Sequence, residues 1–146
     1  MEFINRVIHA LTELHPLHPM LVHFPIGLTG GGALFILLAL WRKNNALEQA
    51  AFANIALASL ATFVAGWAGI YDNNLTYDGE APNATAKIIL ASLLLIITAL
   101  TAYFRWKNPR LFETASTKPF YAAAYLVSFA LALVLAFLGG VILYGF

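Results

Sequence analysis

The chain has 146 residues, 61% of them hydrophobic and 10% charged, with a formal net charge of +1 and a mean hydropathy of +0.78. Soluble domains carry about 25% charged residues, so this composition marks a membrane protein, and no nucleic-acid partner is expected. Cysteine is absent, which excludes disulfides, thiolate metal sites and iron–sulfur clusters built from this chain.

From the N-terminus, Phe3, Ile4, Val7, Ile8, Leu11 and Leu14 recur at three- and four-residue spacing, with Glu2, Arg6, His9 and Glu13 on the other side. This pattern predicts an amphipathic helix over 2–15 that lies in the headgroup plane and stops at Pro16. The interleaved charges also argue against a cleavable leader. Four apolar runs then reach the roughly 20 residues needed to cross about 30 Å of hydrocarbon, over about 20–41, 47–71, 85–104 and 119–146. The expected fold is all-α, an integral membrane four-helix bundle with an N-terminal interfacial helix, and residues 1–146 form a single membrane domain.

Arg42, Lys43, Arg105, Lys107, Arg110 and Lys118, six of the eight basic residues, fall on one side of the four spans. That side is predicted to be cytoplasmic, which puts both termini at the periplasmic side of a bacterial inner membrane. Lys87 reads as an interfacial anchor, or as a partner of Asp72 or Asp78. Trp41, Tyr71, Tyr77, Tyr103, Trp106, Tyr121 and Tyr144 lie near span ends, where amphipathic rings anchor depth. Small residues at four-residue spacing, Ala50, Asn54, Ala58, Thr62 and Gly66 in the second span and Ser128, Ala132, Ala136 and Gly140 in the fourth, mark helix-packing faces. The third span lacks such a stripe and should be the most lipid-exposed.

Three of the four histidines, His15, His18 and His23, cluster at the start of the first span. Pro19 suits a first helical turn with His18 near the cap. Pro25 should kink a helix already running at Leu21, or free a carbonyl near His23. Below His23, Gly27 and Gly31 form a GxxxG pair, flanked by Gly30 and Gly32. The group that approaches these glycines is either a neighbouring helix or a tetrapyrrole such as haem b with His23 as axial ligand. Asp72, at the same membrane face, either orients a histidine or merely ends its helix.

His18 and His23 lie five residues apart and cannot straddle a porphyrin, so a bis-histidine haem needs a second copy or another membrane subunit. A five-coordinate haem or a magnesium chlorin needs His23 alone. A third option is zinc or copper held by His15, His18 and His23 with Asp72. No nucleophile with a base, no phosphate loop and no paired carboxylates within a span point to an enzyme. The absence of a mid-depth charge and of an inverted pair of broken helices argues against a transporter.

The segments "LHPMLVHFPIGL" and "AGWAGIYD" resemble a bacterial four-helix predicted-membrane-protein family of unknown function, with its His-Pro-x-x-Val-His-Phe-Pro and Gly-x-x-Gly-x-x-Asp motifs. His18, His23, Pro25 and Asp72 match the pattern. The resemblance implies four membrane helices, a redox or haem association, and neighbouring Rieske-type or cytochrome modules. Many members carry a histidine early in the third helix, whereas "NATAKIILASL" has none. The leading expectation is a non-catalytic subunit of an electron-transfer, respiratory or photosynthetic assembly, with His23 ligating a haem-type cofactor. The alternative is a stand-alone homo-oligomer in the lipid bilayer whose His/Asp cluster is structural or holds a metal.

Overall fold

The computed structural model describes residues 2–9 and 17–144. It is all-helical: α1 (Glu2–His9), α2 (Leu17–Leu21), α3 (His23–Arg42), α4 (Asn45–Tyr77), α5 (Ala84–Lys107) and α6 (Lys118–Tyr144). The helices α3 to α6 form a ring in which α3 packs on α4 and α6, and α5 packs on the same two. Four segments, His18–Arg42, Asn45–Tyr77, Ala84–Lys107 and Lys118–Val141, are long and apolar enough to cross a membrane. α1 is amphipathic, carries a Glu2–Arg6 ion pair of 2.7 Å, and exposes Phe3 and Ile4. The interfacial helix expected over 2–15 is described only as far as His9, and residues 10–16, including His15, lie outside the described residues.

The expected distortion near Pro25 takes the form of a break at Val22 between α2 and α3. Pro25 thereby falls in the first turn of α3, where its missing N–H is not needed. The Val22 N–H donates to the His18 carbonyl at 3.0 Å and the Ile26 N–H to the Val22 carbonyl at 3.4 Å, so the chain continues as one span. Lys43 closes α3 in the left-handed region at φ 49°. Asn44 caps α4, its side chain accepting the Ala46 N–H at 2.8 Å, which makes the α3–α4 hairpin tight.

α4 overruns its expected end. The second span, expected over about 47–71, continues as helix through "DNNLTY" to Tyr77, and the stop comes only at left-handed Asp78 and Gly79 (φ 48° and 86°). There the Asn73 carbonyl accepts the Gly79 N–H at 3.1 Å, so Asn73 and Asn74 belong to the closing turns of the helix.

Close packing follows the small residues. A Cβ on Gly30 would sit 3.0 Å from the Phe129 ring, one on Gly31 2.9 Å from Asn54 Oδ1, and one on Gly32 3.3 Å from the Tyr125 ring. Ala58 and Thr62 of the α4 stripe and Ser128 and Ala132 of the α6 stripe are buried. α5 buries three residues against six in each of α3 and α4, and so is the more peripheral helix. A buried cluster built on Ile36, Ile55, Phe112 and Tyr125 lies at the basic end, where the 108–117 loop inserts Phe112 between the helices.

Candidate functional site

At the end of the bundle opposite that loop, α2 docks on α4 through His18. Its backbone N–H donates to Asp72 Oδ2 at 3.1 Å, and its Nδ1 lies 2.9 Å from the Ala65 carbonyl oxygen. A carbonyl only accepts, so Nδ1 carries a proton and, in the neutral ring, the lone pair is on Nε2. The imidazole lies over Gly69, where a Cβ would come within 2.8 Å of His18 Cε1. Gly69 and Asp72 of the Gly-x-x-Gly-x-x-Asp motif thus hold the His-Pro end of α2 against α4. Asp72 holds a backbone N–H of this histidine, and the Ala65 carbonyl, not the carboxylate, fixes its tautomer.

His23 faces the other way. It is exposed, and its Nδ1 lies 2.6 Å from the Pro19 carbonyl oxygen one turn back. The same reasoning places its lone pair on Nε2, which has no hydrogen-bond partner among the described residues. Gly27, one turn below, is exposed with nothing within 4 Å of a Cβ. Gly31 faces α4 instead, so the expected four-glycine floor is divided: three glycines receive neighbouring helices and Gly27 alone stays open beside His23.

The expected zinc or copper set falls partly outside the described residues. Among the described residues no three His, Asp or Glu side chains converge, and His15 lies outside them. Lys87 makes no ion pair with Asp72 or Asp78; the ion pairs among the described residues are Glu2–Arg6 and Glu48–Arg105.

The second of these pairs was missed by sequence reasoning. Arg105 Nε and Nη2 donate to Glu48 Oε1 and Oε2 at 2.6 and 2.8 Å. The Tyr121 hydroxyl donates to Glu48 Oε1 at 2.8 Å and lies 2.7 Å from the Tyr125 hydroxyl. Because the first bond uses the Tyr121 proton, Tyr125 is the donor in the second. Tyr121 is therefore no interfacial anchor, as its position near a span end suggested, but a buried link between α4 and α6. Trp41, Tyr71, Tyr77, Tyr103 and Trp106 are exposed, as anchors require. The available signal was Glu48 itself, an acid one residue inside an apolar span, which calls for a cation at the same depth.

The chain belongs to the family described as Predicted membrane protein (DUF2231), whose model matches residues 14–146. No curated protein and no solved structure matches it.

Proposed function

Given that family membership, we propose that the chain is a non-catalytic subunit of a bacterial inner-membrane electron-transfer assembly, and that it offers His23 as an axial ligand to a haem-type tetrapyrrole bound against its exterior. In this orientation the basic end faces the cytoplasm and the histidine end faces outward. One observation carries the reading: His23 is exposed, its Nδ1–H is committed to the Pro19 carbonyl, its Nε2 has no hydrogen-bond partner among the described residues, and Gly27 one turn below is open. An imidazole that ligates through Nε2 is held in this way, with its other nitrogen fixed by a backbone or carboxylate acceptor. A histidine on the outer surface of an apolar span, with one ring nitrogen unpartnered, points to a functional face.

The residues present fit one side of such a group. His23 supplies the donor nitrogen, Gly27 leaves space for a flat ring edge, and exposed Phe24 and Met20 give apolar contact. When bound, haem supplies one-electron exchange. His18 is turned toward α4, so a second histidine for such a group would come from another chain, a different membrane subunit or a second copy.

The test is the absorption spectrum of the chain purified in mild detergent from a haem-replete bacterial membrane. A Soret band that disappears in His23→Ala and in Gly27→Leu, and survives in Gly66→Leu, is the expected result. An intact, stoichiometric preparation with no Soret band overturns the reading.

A further inference from the structure

At the basic end, the C-terminus of α3, the start of α4, the 108–117 loop and the start of α6 enclose a crevice of about 240 Å³. Its floor is apolar, with Leu40 and buried Phe112, and its charged lining is Lys43, Lys118 and Glu113. The lysine ammonium groups make no ion pair with any acid among the described residues. Lys118 Nζ stands 5.2 Å above the Phe112 ring, and the Lys43 backbone makes the left-handed turn that ends α3. Glu113 leaves the lining with one net positive charge. Trp41 and Trp106, 75% and 69% exposed at this end, set the level of the membrane–water boundary. The crevice therefore opens at headgroup depth, with cations at its rim and hydrocarbon surface beneath.

We propose that this crevice binds an anionic phospholipid, with the phosphodiester between Lys43 and Lys118 and the glycerol and upper acyl chain on Leu40 and Phe112. Basic pockets between membrane helices select anionic headgroups in this way. Two further features single out this crevice from the general positive charge of the end. Arg105, already paired with Glu48, lies outside the lining, whose cations are the two lysines. The apolar floor gives a tailed ligand an advantage that an inorganic anion lacks.

Native mass spectrometry of the full chain, loaded with phosphatidylglycerol or phosphatidylcholine in mild detergent, reads out the selection. Wild type is expected to retain phosphatidylglycerol preferentially. The double variant Lys43→Gln/Lys118→Gln is expected to bind it about thirtyfold more weakly, from two lysines at an anionic headgroup. Arg42→Gln/Lys107→Gln, with the same change in net charge, should keep most of the preference, and Glu113→Gln should strengthen it. The proposal is overturned if the lysine double variant matches wild type, or if the Arg42/Lys107 pair loses as much. Displacement of the lipid by millimolar inorganic phosphate also overturns it, since the site would then be one for free anions. All the substituted side chains line the surface, so a correctly folded variant is expected, and none touches His23.

Discussion

The ion pair at the basic end makes the sharpest demand on stability. Arg105→Met removes two charge-assisted hydrogen bonds of 2.6 and 2.8 Å from Glu48, whose side chain is 3% exposed. Only the Tyr121 hydroxyl then remains on the carboxylate. Each lost bond to a charged group is worth roughly 1.5–3 kcal/mol, and removing one partner of a buried pair costs about 3–5 kcal/mol. The variant is therefore expected to lose about 3–5 kcal/mol. Glu48→Gln should cost less, because the amide oxygen still accepts from Tyr121, and Arg105, 13% exposed at a helix end, can swing toward the headgroups. The double variant Glu48→Gln/Arg105→Met, which leaves neither charge behind, should recover most of the loss.

Reversible denaturation in mixed micelles, followed by helical circular dichroism, gives the four corners of a double-mutant cycle. A coupling energy above about 2 kcal/mol is expected from the bidentate geometry. If Arg105→Met costs less than about 1 kcal/mol, or if the two single losses simply add, the pair behaves as an exposed one and the reasoning fails.

Two further outcomes follow from close backbone approaches. Gly69→Ala would drive a Cβ to 2.8 Å from His18 Cε1, so it should cost about 1–3 kcal/mol and expose the α2–α4 junction to protease; Gly66→Ala, with nothing within 4 Å, should be tolerated, and equal behaviour of the two would refute the docking. Gly31→Ala places a Cβ 2.9 Å from Asn54 Oδ1 and should destabilise by a similar roughly 1–3 kcal/mol; Asn54→Ala in the same chain should restore stability in the micelle assay, and failure to do so would mean the strain lies elsewhere.

The helices were legible because the apolar runs are long and their ends are marked by charge. The break before α3 was legible from Pro25, since proline chemistry is local. The end of α4 was not: "DNNLTY" has turn-forming residues, but the left-handed pair Asp78 and Gly79 stops the helix only later. The histidines show the same division. Their position at one end of the bundle could be read from spacing, but their opposite orientations depend on which carbonyl each Nδ1 meets, Ala65 across the helix pair or Pro19 on the same segment. The Glu48 network joins residues 57 and 73 positions apart, and no local pattern connects them. Arg105 was counted as one of several surface cations and Tyr121 as an anchor, because composition near a span end looks alike whether a side chain points in or out.

The two ends of the bundle are held by different means, and this bears on where a partner can act. At the basic end, α4, α5 and α6 are joined through Glu48, Arg105, Tyr121 and Tyr125, and α3 closes on the Tyr125 ring through Gly32. Toward the histidine end, the last buried positions among the described residues are Pro25 in α3, Ala65 in α4, Leu94 in α5 and Ala132 in α6. From these levels outward, the side-chain ties between helices among the described residues are those of His18 to Ala65 and Asp72, which fasten α2 to α4, and that of His23 to Pro19, which joins α3 to α2 within one span. Polar groups shared by several helices fix their relative positions more firmly than apolar contact does in lipid, where hydrophobicity gives helices little reason to associate. The basic end therefore sets the geometry of the bundle, and the histidine end can adjust around a group or a chain docking at His23 without breaking a hydrogen bond between the four long helices.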